Sequence, residues 1–128
     1  IGFSNYGSRV NCYAWGQNIV TASRYPLDSG AAINTYTDKF CGTSGATAII
    51  AGAAIVLQSV YESKYHCRLN PVQMRAILGD DNYGTQSENG RLLDKIGIMP
   101  DLRKILVNLM NAENGIIKDH FIPHLSRI

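Results

Sequence analysis

The sequence predicts an α/β domain, and three observations carry that prediction. Apolar and polar residues alternate near the N-terminus, one helix-length segment from Ala46 to Leu57 is almost wholly apolar, and two shorter segments, "LNPVQMRAIL" and "MPDLRKILVNLMN", carry a helix-opening proline and apolar residues at helical spacing. With 128 residues, the chain is one domain or a piece of one. It begins at Ile1 rather than Met, so the natural N-terminus is expected to lie upstream.

Taken in order, Val10, Cys12 and Ala14 alternate with Asn11 and Tyr13, and Ile19-Val20 is β-branched. Both read as short strands separated by a turn at Trp15-Gly16. Residues 24–38 read as a loop or a hairpin turning at Asp28-Ser29-Gly30. A helix follows from about Ser44 to Tyr61. It is apolar all round, so burial on most sides is expected. Gly52 within it costs about 1 kcal/mol against alanine, which suggests that another element crosses the helix there.

In "LNPVQMRAIL", Asn70 is a good N-cap, Pro71 suits the first helical position, and Val72, Met74, Ile77 and Leu78 form the apolar face. Residues 79–91 are polar and turn-rich, a surface loop. In "MPDLRKILVNLMN", Pro100 opens a helix with the stripe Leu102, Ile105, Leu106 and Leu109. Residues 113–128 show no clear period and are assigned to a C-terminal tail, leaving 1–112 as the structured unit.

Composition narrows the function. The net charge is +2 and there is no Lys/Arg cluster, which argues against a nucleic-acid partner. The Ala46–Leu57 run falls short of the ~20 residues of a membrane span, so a core helix and no membrane partner are expected. Cys12, Cys41 and Cys67 show no metal-binding spacing, and their odd count leaves at least one thiol unpaired within the chain.

"KFCGTSGATAIIAGAAIVLQ" (residues 39–58) raises the functional question. Ser44 opens the apolar helix between glycines. From the local pattern alone, the commonest job of such a serine is capping. The alternative is chemical. The first helical turn offers unpaired N–H groups at the positive end of the dipole, which stabilise an oxyanion forming beside a nucleophile. Small neighbours such as Gly42, Gly45 and Ala46 let a substrate backbone come close.

"CGTSGATAIIAG" resembles the nucleophile segment of subtilisin-like serine proteases, Gly-Thr-Ser-x-Ala followed by an apolar stretch ending Ala-Gly. Gly42, Thr43, Ser44, Ala46, Ala51 and Gly52 fall on matching positions. "FSNYGSRVNCYAWGQNIVTAS" resembles an earlier family segment and "LNPVQMRAIL" the next helix, in the same order and spacing. Ala48 stands where the family usually has Pro, Ile49 where a non-catalytic His is common, and Trp15 replaces the Pro of Ala-Pro-Gly.

The resemblance implies the C-terminal portion of a subtilisin-like fold, a parallel sheet flanked by helices and incomplete in this chain. It implies a serine endopeptidase acting on peptide or protein substrates through an acyl-enzyme on Ser44, whose backbone N–H is one oxyanion donor. Gly42, Thr43, Gly45 and Ala46 support the motif. The catalytic Asp and His and the oxyanion Asn lie upstream of the serine in the family. Here the 43 residues before Ser44 hold no histidine, and Asp28 and Asp38 sit in no family motif. The remainder of the domain, in the same or a partner chain, is therefore an expected partner, and the isolated chain is expected to be inactive. Calcium is common in the family, but no cofactor or metal site is readable here. A secreted location follows from the resemblance only.

Two other readings compete. Gly42-Thr43-Ser44-Gly45-Ala46 is one residue from the Gly-x-Ser-x-Gly elbow of α/β-hydrolases, whose triad would be Ser44, Asp94 or Asp101, and His120 or His124. The polar segment "NTYTDKF" before it is unlike the buried strand that such an elbow follows. A non-catalytic scaffold or binding module of the same family is the third reading. The remaining candidates read as structural. His66 suits the C-terminus of the long helix, Pro123 breaks the helix that would pair His120 with His124, and Asp80-Asp81-Asn82 lacks calcium-loop spacing.

Overall fold

The computed structural model describes residues 2, 4–23 and 35–112. Its elements are strands β1 (Ile19–Ser23) and β2 (Thr35–Phe40), helices α1 (Thr43–Tyr65) and α2 (Pro71–Leu78), strand β3 (Gly84–Gln86), the short helix α3 (Arg91–Asp94), strand β4 (Ile98–Pro100) and helix α4 (Leu102–Asn111). The mixed α/β class agrees with the sequence reading. The parallel sheet does not appear. Among the described residues there are two antiparallel pairs, β1–β2 and β3–β4, and one parallel bridge, Cys12 to Ile98. The Val10–Ala14 alternation thus gives a single bridge rather than a strand. A parallel strand needs a neighbour delivered by a crossover, and among the described residues only Ile98 reaches it.

The antiparallel β1–β2 pair agrees with a hairpin, although its turn at Asp28-Ser29-Gly30 lies outside the described residues. Residues 79–91 are more than a loop. Asp81–Tyr83 form a 3-10 turn, and β3 pairs with β4 through Gly84–Pro100 and Gln86–Ile98. Gly84 lies so close to Ile98 and to the Met99 carbonyl that a Cβ would collide with both. Three residues per strand show too little period to be legible in the sequence.

The helices follow their start signals. Asn70 and Gln73 form a reciprocal capping box, the Gln73 N–H donating to Asn70 Oδ1 at 2.9 Å and the Asn70 N–H to Gln73 Oε1 at 2.8 Å. Asp101, rather than Pro100, caps α4, accepting from the Lys104 N–H at 3.1 Å. Pro100 instead ends β4. The core gathers where α1, α2 and α4 meet, from Leu57, Leu69, Ile77, Leu78, Ile105 and Leu109. Full burial of a side chain such as Leu57 contributes about 1.5–3 kcal/mol. Of the expected α2 face, Val72 is exposed.

α1 departs most from expectation. It runs for 23 residues, four past Tyr61, and only Gly45 and Leu57 are buried. Ile49, Ile55 and Val56 face solvent, and nothing comes within 4 Å of a Cβ built on Gly52. The expected burial on most sides and the expected crossing at Gly52 are therefore absent among the described residues. α2 and α4 cover one side of the helix near its C-terminal half, and Ile19 of β1 and Phe40 of β2 cover its first turn at Gly45. By length and composition alone α1 could cross a membrane, contrary to the estimate from the shorter apolar run, but a core helix passes the same test.

Candidate active site

Ser44 sits in the first turn of α1, one residue past the first helical position. The cap is Gly42, whose φ of 119° only glycine adopts without strain. No side chain caps this end and no acidic residue lies in the first turn, so the first-turn donors are not covered by side chains. The capping role for Ser44 is thereby removed. The serine is exposed, and among the described residues its hydroxyl makes no hydrogen bond.

The turn is held by its backbone. The Gly42 N–H donates to the Gly16 carbonyl at 2.8 Å, and the Gly45 N–H turns back to the Gly42 carbonyl at 3.1 Å. Thr47 Oγ1 donates to the Thr43 carbonyl at 2.9 Å. Gly45 is buried, and its bare Cα is covered by Ile19 and Phe40. The space at Gly45 is thus filled from within the chain, not left open for a substrate backbone as the spacing suggested. Ala46 is half-buried and, with Thr43, lines a cavity of about 940 Å³ between the Ser4–Gln17 segment and one face of α1. Ser44 does not line it.

That cavity is mainly apolar, with Ile50, Ala54, Ile96 and Met99 in its walls. Cys12 lies in it, and burial pushes its thiol pKa up, partly offset by the Arg75 guanidinium. Asp94 stands at the same cavity, with Oδ1 and Oδ2 accepting from Asn89 Nδ2 at 3.0 Å and the Asn89 N–H at 3.1 Å. Those bonds hold its carboxyl below the usual range. The three cysteines are all free thiols.

No described imidazole is near Ser44. His66 is the left-handed C-cap of α1, at the opposite end of a 23-residue helix about 35 Å long. His120 and His124 lie outside the described residues. The acids of the hydrolase reading have local duties. Asp94 is bonded to Asn89, and Asp101 caps α4 and faces Lys104 Nζ at 4.0 Å. Among the described residues no group of His, Cys, Asp and Glu could hold a metal ion. Sequence reasoning missed Ile19, Phe40 and Gly16 as the support of the serine turn. Only the β-branched and aromatic character of the first two hinted at packing.

Comparison with curated proteins and with solved structures gives no match. A family model, described as the subtilase family, Peptidase_S8, matches residues 1–98, which include the Ser44 turn, the bridge at Cys12 and all of α1 and α2. With more than half of its length matched, the chain belongs to the subtilase family.

Proposed function

We propose that this chain supplies the nucleophile, Ser44, of a subtilisin-like serine endopeptidase. One observation carries the reading within the family: an exposed, unbonded serine hydroxyl at a helix N-terminus whose first-turn donors no side chain covers. A serine hydroxyl is a weak nucleophile until a base takes its proton. With an oriented histidine beside it, Ser44 Oγ attacks the scissile carbonyl while its proton passes to the imidazole. The developing oxyanion is met by the Ser44 N–H at the positive end of α1. The imidazole then returns the proton to the leaving amine, and water releases the acyl group by the same route in reverse.

The histidine, its aspartate and the side-chain oxyanion donor come from outside these residues, so the isolated chain is inactive on this reading. Two features support docking of the remainder of the domain. The Ile98 N–H and C=O bond Asn11 and Tyr13, which leaves the backbone groups of Cys12 on the opposite edge without a backbone partner among the described residues. Beside that edge lies the apolar cavity, walled by Ala46, Ile50 and Ala54 of α1. An added strand would satisfy the edge and close the cavity together.

The test is Ser44→Ala in the complete domain, read by peptide cleavage and by thermal melting. Cleavage is expected to fall to background with an unchanged melting temperature, because Ser44 caps nothing. A serine-directed phosphonate should label the parent protein at Ser44. Cleavage at the parental rate by the alanine variant overturns the assignment.

A further inference from the structure

Asn89 precedes Gly90 in the turn before α3, and its side chain is exposed. An asparagine followed by glycine is prone to deamidation: with no Cβ in the way, the glycine nitrogen can attack the asparagine side-chain carbonyl. The turn requires glycine here, because the φ of 81° lies in the left-handed region. Both partners of that attack are occupied. Asn89 Nδ2 and the Asn89 N–H donate to Asp94 Oδ1 and Oδ2 at 3.0 and 3.1 Å, which fixes the side-chain amide against the carboxylate. The Gly90 N–H donates to the Ser87 carbonyl at 2.9 Å, and the Gly90 carbonyl accepts from the Leu93 and Asp94 N–H groups at 3.2 and 3.1 Å. The glycine nitrogen must give up that bond, and its proton, before it can attack.

We propose that Asn89 is a deamidation site and that Asp94 is its lock. In the reaction the Gly90 nitrogen forms a bond to Asn89 Cγ, the Cγ–Nδ2 bond breaks, and ammonia leaves with the proton lost by Gly90. Water then opens the resulting succinimide at either carbonyl and leaves aspartate or isoaspartate at position 89. The product replaces the Nδ2 donor by an acceptor-only carboxylate beside Asp94, so the clamp on the turn becomes a like-charge contact. Asp94 also lines the apolar cavity, which puts the added charge at the edge of that surface.

The experiment incubates the 128-residue chain, its Asp94→Ala, Asp94→Asn and Asp101→Ala variants, and a synthetic peptide of residues 87–94 at neutral pH. Peptide mapping by mass spectrometry follows the mass gain at Asn89, apart from the second Asn-Gly pair at Asn114-Gly115. Circular dichroism checks that each variant keeps its helices. Asp94→Ala should deamidate at Asn89 about tenfold faster than the parent and approach the peptide, while Asp94→Asn, which keeps one acceptor oxygen, should fall between parent and Asp94→Ala. Asp101→Ala removes the α4 cap, weakens the fold elsewhere, and should leave the Asn89 rate at the parental value. Equal rates in the parent and Asp94→Ala, or no reaction at Asn89 in Asp94→Ala while the peptide reacts, overturn the proposal. An equal acceleration by Asp101→Ala means a general loss of stability and overturns the lock. If Asp94→Ala loses its helix signal, Asp94→Asn carries the comparison, and a parental rate in it overturns the proposal. None of these readouts depends on peptidase activity, so their failure leaves the reading of Ser44 untouched.

Discussion

At the scale of single residues, glycine positions in α1 say more than its apolar ones. Gly42 and Gly45 each have a reason, a left-handed cap and a packed neighbour. Gly52 has none among the described residues, since nothing lies within 4 Å of its missing Cβ. Gly52→Ala in the 128-residue chain should therefore raise stability by about 0.5–1 kcal/mol, the helix-propensity gain. Urea unfolding measures it. The same substitution in the complete domain should be neutral or destabilising if another element packs there, and a gain in both contexts removes the case for such an element. Ser44 itself was legible because a motif fixes residue types at set spacing. Its supports, Ile19 and Phe40, were not, because packing across strands leaves no local pattern.

At the scale of elements, two neighbouring side chains fasten α1 to α4. Lys64 Nζ donates to the carbonyls of Leu109, Met110 and Ala112 at 2.7, 2.8 and 3.0 Å, and Tyr65 Oη donates to Leu109 at 3.2 Å. All three ammonium protons thus meet the orphan carbonyls at the negative end of α4. Lys64→Met keeps the stem and removes the charge, and should cost about 1–3 kcal/mol in urea unfolding. An unchanged midpoint would mean that the lysine only decorates the surface. α2 was legible from its cap, Asn70-Pro71, and α4 from its apolar stripe, while the α4 cap, Asp101, was not. β3, β4 and α3 were not, because three or four residues are too few to show a period. The Val10–Ala14 segment shows the converse: alternation marks a candidate strand, but partners decide whether it becomes one.

At the scale of the whole molecule, the imbalance is between a helix apolar all round and the cover available to it. Ile55 is 67% exposed and Tyr36 78%, while Leu57 on the same helix as Ile55 is fully buried. Contiguous apolar surface beyond a few hundred Å² drives association. The 128-residue chain should therefore scatter light as more than a single copy, and Ile49→Ser with Ile55→Ser should shift it toward one copy without loss of helix signal. A monodisperse single chain before mutation would contradict the prediction.

The sequence alone determined the family, the place of the serine at a helix start, the cap of α2 and the stripe of α4. Each of these rests on residue types at short, regular spacing, which physics imposes locally. Tertiary structure decided which face of α1 is covered, that Ser44 caps nothing, that Gly45 seats Ile19 and Phe40, and that Lys64 closes α4. Those outcomes depend on residues far apart in sequence that meet only when the chain folds, and burial is a property of what arrives to cover a surface rather than of the surface itself.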